Sequence, residues 1–251
     1  MAKPSQKSSQ RYELNLAPYD THAQILKVIE PEKLVLEVGC GSGHFSECLT
    51  NQRCRVVGME LDSEAAKSAE SHCERVIVCD LNELPTLPYP LEFFDVLLFL
   101  DVLEHLIEPI AVLKHLLPYA KRDGQVILSI PNVANWVARW DLLRGRWNYT
   151  ETGLLDRSHL RFFTRKSARA LVENAGLRIL SEDVSQGLYP MPIYRHTVHR
   201  LMAVIGWQDW LAYRLARLWP SFWGFQFLIV ATVEGEASSD SQGGSGPSGT
   251  P

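Results

Sequence analysis

Short apolar segments alternate with amphipathic ones along most of the chain. Segments rich in β-branched residues or leucine, each bounded by polar residues or glycine, predict strands at 33–38, 54–59, 74–79, 94–100 and 124–130. Three segments between them are predicted to be helices, the last from apolar spacings of three and four: 44–52, 63–72 and 105–121. Asp62 and Ser63 are candidate N-caps of the middle helix. Strands that alternate with helices pair in parallel and are covered on both faces, so we predict an α/β three-layer sandwich.

Composition adds few restrictions to this fold. A chain of 251 residues with 46% hydrophobic residues can bury a core by itself, and we expect one domain over 13–233. The polar segment 1–12 is predicted to be flexible, and 234–251, rich in Gly, Ser and Pro, to be disordered. A net charge of −4 argues against a general nucleic-acid binder. The five cysteines form no C-x-x-C pair, and neither a signal peptide nor a membrane-spanning run is visible, which favours a soluble, cytoplasmic protein.

The first strand runs into a glycine-rich turn, "VLEVGCGSGH" at 35–44. Its pattern is E-x-G-x-G-x-G, whereas a dinucleotide-binding fingerprint would need a glycine in place of His44. Glycines without a Cβ allow the backbone to pass close to a bulky ligand. The carboxylate of Glu37 would repel a pyrophosphate but suits a cationic ligand. S-adenosylmethionine, with a sulfonium and an ammonium and no phosphate, is such a ligand.

The next three strands also end in acidic residues. Glu60 ends the second strand and can accept hydrogen bonds from ribose hydroxyls. Asp80 ends the third strand and can accept from an adenine amino group, while Leu81 offers its N–H and apolar packing. Asp101 follows the fourth strand in "DVLEHL". Each acid alone is an ordinary helix cap or surface group, but four successive strand ends with an acid indicate one binding site.

These motifs resemble the class I S-adenosylmethionine-dependent methyltransferases over about residues 20–233. The resemblance implies a mostly parallel seven-stranded sheet whose last strand, 225–233, is antiparallel and pairs with 177–185. It carries the family's cofactor contacts onto the glycine motif and the acids after the second and third strands, although glutamate at 60 replaces the commoner aspartate. With their neighbours, the residues predicted to bind S-adenosylmethionine are Glu37, Gly39, Cys40, Gly41, Gly43, Glu60, Leu61, Asp80, Leu81 and Asp101.

Two segments are predicted to form acceptor-site or lid insertions. In 129–176, aromatic residues accompany arginines, which suits a sugar ring, an aromatic ring or a phosphorylated carrier. The plain alternative is a solvated basic face that pairs with Asp141, Glu151 and Asp156. The Trp-rich segment 189–223 is consistent with core packing, a lid, a dimer surface or a membrane-surface element. The residues in question in the first segment are Trp136, Trp140, Trp147, Tyr149, Arg139, Arg144, Arg146, Arg157 and Arg161.

Two histidines are candidate general bases. His159 precedes a helix predicted to start near Thr164, and the alternative is that it bonds the backbone of its own loop. His105 lies beside Glu104 at a predicted helix start. With Asp101 this pair resembles a cation site proposed for quinone-pathway O-methyltransferases, but solvated acids at a helix start are the commoner arrangement, and no metal is predicted.

The sequence therefore predicts an enzyme that transfers a methyl group to a small-molecule, glycan or lipid-linked acceptor, at a hydroxyl oxygen. The wording of 131–164 is similar to a bacterial subgroup of polysaccharide and natural-product pathways, which favours such an acceptor. The alternative is a non-catalytic, cofactor-binding partner of another enzyme, since the chain is also similar to a methyltransferase-like protein linked to methionine biosynthesis. Peripheral membrane contact and a homodimer are left open.

Overall fold

A seven-stranded sheet forms the centre of the molecule. The structure, a computed structural model, describes residues 14–186 and 208–233, so both predicted tails and residues 187–207 lie outside it. The strand order is β3-β2-β1-β4-β5-β7-β6. The strands are β1 (Leu34–Val38), β2 (Arg55–Glu60), β3 (Arg75–Val78), β4 (Phe94–Leu100), β5 (Ala120–Pro131), β6 (Leu177–Gln186) and β7 (Gly224–Val233).

The pairing confirms the predicted topology. Strands β1 to β5 pair in parallel, whereas β7 is inserted between β5 and β6 and runs antiparallel to both. The helices are α1 (Thr21–Val28), α2 (His44–Asn51), α3 (Ser63–Ala69), α4 (Pro109–Leu116), α5 (Trp136–Leu143), α6 (Arg165–Asn174), α7 (Gln208–Leu218) and α8 (Pro220–Trp223). None of the helices within the described ranges is both long and apolar enough to cross a bilayer.

Capping residues fix several helix starts as expected. Asp62 is the N-cap of α3, and its carboxylate accepts hydrogen bonds from the N–H groups of Glu64 and Ala65. Thr164 caps α6 in a reciprocal arrangement with Ser167. Ser63 is therefore the first helical residue of α3 and not its cap.

The helix predicted over 105–121 is wrong in length. Its α-helical part is α4, with Pro109 in the first turn, flanked by 3-10 turns over Leu103–His105 and Leu117–Tyr119. Proline is tolerated there because its missing N–H would have no partner, and its ring forces the preceding Glu108 out of helical geometry. His105 therefore ends a 3-10 helix and is not part of the α-helix.

Two apolar clusters cover the two faces of the sheet. On β1, Val35 belongs to the cluster that contains residues of α1 and α2, while Leu34, Leu36 and Val38 belong to the one that contains residues of α4 and α6. All these strand residues are buried, as expected for a parallel sheet covered by helices. The carboxyl ends of β1 and β4 lie next to each other where the chain reverses its strand order, and sheets of this kind bind ligands there.

Candidate functional site

A cavity of about 890 Å³ opens at the carboxyl ends of β1 to β4. Nine of the ten residues predicted to bind the cofactor line it. They are Glu37, Gly39, Cys40, Gly41, Glu60, Leu61, Asp80, Leu81 and Asp101. Gly43 is buried instead as the N-cap of α2. The sheet thus brings together residues that are up to 64 positions apart in the sequence, as the alignment of strand ends predicts.

The three glycines of the turn have different reasons to be glycine. All have positive φ, at 74° for Gly39, 54° for Gly41 and 82° for Gly43. A Cβ on Gly41 would meet no atom within 4 Å, so this residue faces the open cavity. A Cβ on Gly39 would lie 2.6 Å from Val102 Cγ2, and one on Gly43 would lie 2.8 Å from Ala69 Cα. Close approach to a ligand therefore explains Gly41, whereas packing explains the other two.

Glu37 is a buried carboxyl at the base of the turn. It accepts a 2.5 Å hydrogen bond from the Ser46 hydroxyl, and burial raises its pKa to about 8. At neutral pH this group is therefore mostly protonated. The ligand-free Glu37 therefore attracts a cation only weakly. A bound cation would favour the ionised form of its carboxyl group, and the predicted attraction would then act.

Glu60 holds the turn in place. Its Oε2 accepts a 2.8 Å hydrogen bond from the N–H of Gly41, and its Oε1 accepts from the N–H groups of Leu61 and Asp62 at 2.9 Å each. Asp80 makes a similar arrangement one strand away, accepting from both the backbone and the side chain of Asn82. Glu60 Oε2 and Asp80 Oδ2 keep acceptor capacity for the hydroxyl or amino groups of a ligand.

Carboxyl groups are the most numerous ionisable side chains of the cavity wall, beside four histidines, and Glu37 among them is mostly protonated. Six carboxyl groups line the cavity, and no lysine or arginine of the described chain does. A pocket of this kind repels pyrophosphate and attracts cations, which agrees with the interpretation of the glycine motif. The carboxyl groups are those of Glu37, Glu60, Asp62, Glu64, Asp80 and Asp101.

Asp101 is held in a strained position at the end of β4. Its φ is 52°, unusual for a residue with a side chain. Ser129 of β5 and Gln226 of β7 each donate a 2.7 Å hydrogen bond to its Oδ1. Gln226 also pairs with Thr21, so three separate parts of the chain fix this carboxylate. None of these supports is visible from local sequence.

Glu104, His105 and His159 form a cluster beside the same strand end, with their ligand atoms within 4.8 Å of one another. The rings of His105 and His159 meet edge to face at 4.9 Å, and His159 Nε2 lies 3.9 Å from Glu104 Oε1. Such a set has the chemistry of a divalent-metal site or of a proton-transfer site. Asp101 is not a member of this set, whereas the distant His159 is.

Burial gives the members of this cluster different protonation. Glu104 is 1% exposed, and neither carboxyl oxygen has a hydrogen-bond partner in the described structure. Burial, with Asp101 and Asp156 nearby, raises its pKa well above the usual value. The expectation of a solvated acid at a helix start is therefore wrong for Glu104. Burial and His105 lower the pKa of His159, which keeps that imidazole neutral.

His105 lines the cavity, but His159 does not. His159 is buried in its own loop, where the Leu154 backbone acts to raise its pKa. His22, His44 and His72 also line the cavity, although none of them was predicted as a site residue. His22 lies in α1, a helix that was not predicted.

The aromatic and basic residues of 129–176 lie outside the cavity wall. Trp140, Trp147 and Tyr149 are exposed, and the guanidinium of Arg144 stacks 4.4 Å from the Trp140 ring. Of the acidic partners expected for the arginines, Glu151 pairs with Arg157. The segment thus presents a surface beside the site.

Comparison with known proteins agrees with this geometry. A family model described as a methyltransferase domain matches residues 9–182, well over half of the chain. The ubiquinone biosynthesis O-methyltransferase of Coxiella burnetii is 27% identical over 166 residues, 62% of this chain and 70% of that protein.

Solved structures resemble the fold at lower identity. A SAM-dependent methyltransferase from Archaeoglobus fulgidus has a TM-score of 0.58 at 17% identity, covering 84% of this chain and 92% of that one. A possible histamine N-methyltransferase from Thermotoga maritima has a TM-score of 0.56 at 18% identity, covering 85% and 88%. The chain belongs to the methyltransferase domain family, as a class I S-adenosylmethionine-dependent methyltransferase.

Proposed function

We propose that this methyltransferase acts on a hydroxyl oxygen of a small-molecule or glycan acceptor, with His105 as the general base. The observation that carries the proposal is the His105 ring at the cavity wall, beside the end of β4. Glu60 and Asp80 lie at the ends of β2 and β3, which suits the nucleoside half of the cofactor. The methionine half then lies towards Asp101 and His105. S-adenosylmethionine supplies the methyl group on a sulfonium, a good leaving group.

The orientation of His105 suits proton removal. Its Nδ1 lies 3.3 Å from the carbonyl oxygen of Ser158, which can only accept a hydrogen bond. The neutral ring therefore carries its proton on Nδ1 and has its lone pair on Nε2. A hydroxyl that approaches Nε2 can give up its proton as its oxygen attacks the methyl group.

His159 and Glu104 are assigned positioning roles. The ring of His159 packs against His105 at 4.9 Å and so limits its rotation. The protonated carboxyl group of Glu104 carries no charge. The backbone carbonyl of Glu104 accepts hydrogen bonds from the N–H groups of Leu160 and Arg161 at 2.8 and 2.9 Å. These bonds hold the His159 loop against the end of β4. The prediction that no metal is needed stays a prediction.

The acceptor class is inferred from the surroundings of the site. The relative from Coxiella burnetii is named for O-methylation in ubiquinone biosynthesis. The exposed aromatic and arginine side chains of 129–176 suit rings or anionic carriers. Asn132 and Asn135 both donate 2.8 Å hydrogen bonds to the Gly224 carbonyl, which ties this segment to the α8–β7 junction. We infer that residues 129–176 and the α8–β7 junction together border the entrance for the acceptor.

The test uses S-adenosylmethionine labelled at its methyl group and a panel of catechols, phenols, glycosides and amines. We expect label on a hydroxyl oxygen of a phenolic or sugar acceptor, with the product identified by mass spectrometry and NMR. Replacing His105 by Gln is expected to lower kcat by roughly 10²- to 10⁴-fold, with unchanged affinity for S-adenosylhomocysteine.

His115 provides a matched control. It lies on α4 with its Nε2 3.0 Å from the Pro85 carbonyl, outside the cavity, so His115→Gln should retain wild-type kcat. Methyl transfer to nitrogen or carbon would contradict the proposed acceptor. A wild-type kcat for His105→Gln, or loss of activity in EDTA that a divalent metal restores, would contradict the assignment of the base. Cofactor binding without any transfer would favour the non-catalytic alternative.

A further inference from the structure

Two cysteine sulfurs meet beneath the glycine-rich turn. Cys40 lies in the turn after β1, and Cys73 lies in the connection between α3 and β3. A Cβ placed on Gly58 of β2 would lie 2.6 Å from Cys40 Sγ and 3.4 Å from Cys73 Sγ. Both sulfurs therefore share the space that a side chain at position 58 would fill. Glycine weakens the interior of a strand, and here the two sulfurs explain its presence.

The two thiols lie close enough to affect each other's ionisation. Each is the largest influence on the pKa of the other. The neighbouring Cys40 thiol lowers the pKa of Cys73 to about 7 despite partial burial, while the pKa of Cys40 is raised. The Cys73 sulfur lies 3.3 Å from Ser46 Oγ, which in turn donates to Glu37. Cys73 is half-buried.

Cys48 and Cys79 lack this activation. Burial raises the pKa of Cys48 and of Cys79, which keeps both as unreactive thiols. All five cysteines are free in the structure. Because the thiolate is the form that attacks disulfides, Cys73 is the preferred site of reaction at neutral pH.

We propose that Cys40 and Cys73 form a reversible disulfide that weakens binding of S-adenosylmethionine. A low-molecular-weight disulfide such as glutathione disulfide is the oxidant. The Cys73 thiolate attacks one of its sulfurs and releases a first glutathione thiolate. Cys40 then loses its proton and attacks the Cys73 sulfur, which releases the second. The protein pair gives up two electrons and two protons, and one glutathione disulfide becomes two thiols.

The bond would move the cofactor-binding turn. Two sulfurs in a disulfide are only about 2 Å apart, shorter than any contact between free thiols. Cys40 is part of the cavity wall, and its neighbour Gly41 donates to Glu60 at 2.8 Å. The turn has little freedom to adjust, since Gly39 packs against Val102 and Gly43 against Ala69. Drawing Cys40 towards Cys73 therefore displaces the Gly41 N–H and the wall around it.

The experiment treats the full chain with glutathione redox buffers and measures its intact mass and its affinity for S-adenosylhomocysteine by calorimetry. We expect the oxidised protein to be lighter by two hydrogen atoms and peptide mapping to find Cys40 joined to Cys73. We expect the Kd for S-adenosylhomocysteine to rise at least about tenfold and to return to its original value with dithiothreitol. This comparison needs no variant.

Variants identify the pair. Cys73→Ser should keep its affinity in oxidising buffer, while the control Cys48→Ser should respond like the wild type. Four results would overturn the proposal: a stable mixed disulfide on Cys73 alone, no disulfide at all, a Cys40–Cys73 bond with unchanged Kd, or a Cys73→Ser variant that still loses affinity on oxidation. None of these measurements depends on the identity of the methyl acceptor.

Discussion

At the scale of single residues, burial gives two glutamates of one cavity opposite tasks. Glu60 is half-buried and accepts three backbone hydrogen bonds, so its charge organises the turn. Glu37 is 2% exposed, and the Ser46 hydroxyl is its hydrogen-bond donor, so burial raises its pKa to about 8. One glutamate thus accepts backbone hydrogen bonds that hold the turn, and the other is a buried acid that can ionise when a cation arrives.

Glu37 should make stability depend on pH. A carboxyl whose pKa is higher in the folded protein stabilises fully below its unfolded pKa of 4.5, and this contribution is lost as pH rises towards 8. Relative to Glu37→Gln, which can still accept the Ser46 hydrogen bond, the ligand-free wild type should lose about 3 kcal/mol between pH 4.5 and 7. Denaturant unfolding at several pH values measures this difference. Parallel pH curves for the two proteins would contradict it.

At the scale of elements, the five residues between β1 and α2 contribute both to packing between helices and to the wall of the cofactor cavity. Gly41 faces the cavity, whereas Gly43 is pressed against the end of α3. The position of α3 therefore limits where α2 can begin, and a change in the turn would displace both helices. The helix predicted over 105–121 failed because Pro109 sets the start of α4, a constraint stronger than its apolar spacing.

Gly43→Ala should be markedly destabilising. A side chain in the left-handed region costs about 1–2 kcal/mol, and contact with Ala69 Cα at 2.8 Å adds about 1–3 kcal/mol of overpacking. Gly145→Ala is the matched control, since its φ is 67° but nothing lies within 4 Å of the new Cβ. We expect the free energy of unfolding of Gly43→Ala to be lower than that of Gly145→Ala by the overpacking energy. Thermal or denaturant unfolding measures this difference. Equal stability would mean that the contact at Ala69 relaxes at no cost.

At the scale of the whole molecule, the acidic cavity should select its cofactor. S-adenosylhomocysteine at 100 times its Kd stabilises the folded state by about 2.7 kcal/mol, which raises Tm by roughly 5–10 °C for a chain of this size. NAD should give no shift, because its pyrophosphate would face five carboxyl groups besides the mostly protonated Glu37, and no lining lysine or arginine. Thermal denaturation with each ligand measures both. Stabilisation by NAD alone would overturn the electrostatic argument.

A Glu60 variant tests whether the rise in Tm with S-adenosylhomocysteine depends on the glycine-rich turn. Glu60→Gln turns one acceptor oxygen into an amide donor that faces backbone N–H groups, so affinity for S-adenosylhomocysteine should fall about 10- to 100-fold. At the same ligand concentration the thermal shift should largely disappear. Glu70→Gln, an exposed glutamate at the end of α3 and outside the cavity, should keep the full shift.

The sequence by itself determined the first five strands, their parallel pairing and the cofactor side of the cavity. These follow from local patterns: apolar strands, a glycine turn, and acids at strand ends that a parallel sheet necessarily aligns. The last two strands and their antiparallel pairing were implied by the resemblance to class I methyltransferases. Only the tertiary structure decided how those groups behave. Four features depend on burial and on contacts between distant segments. They are the raised pKa of Glu37, the hydrogen bond from Gln226 to Asp101, the contact between the His105 and His159 rings, and the proximity of Cys40 and Cys73. Such contacts leave no periodic signal in the chain, because they arise from packing across the sheet.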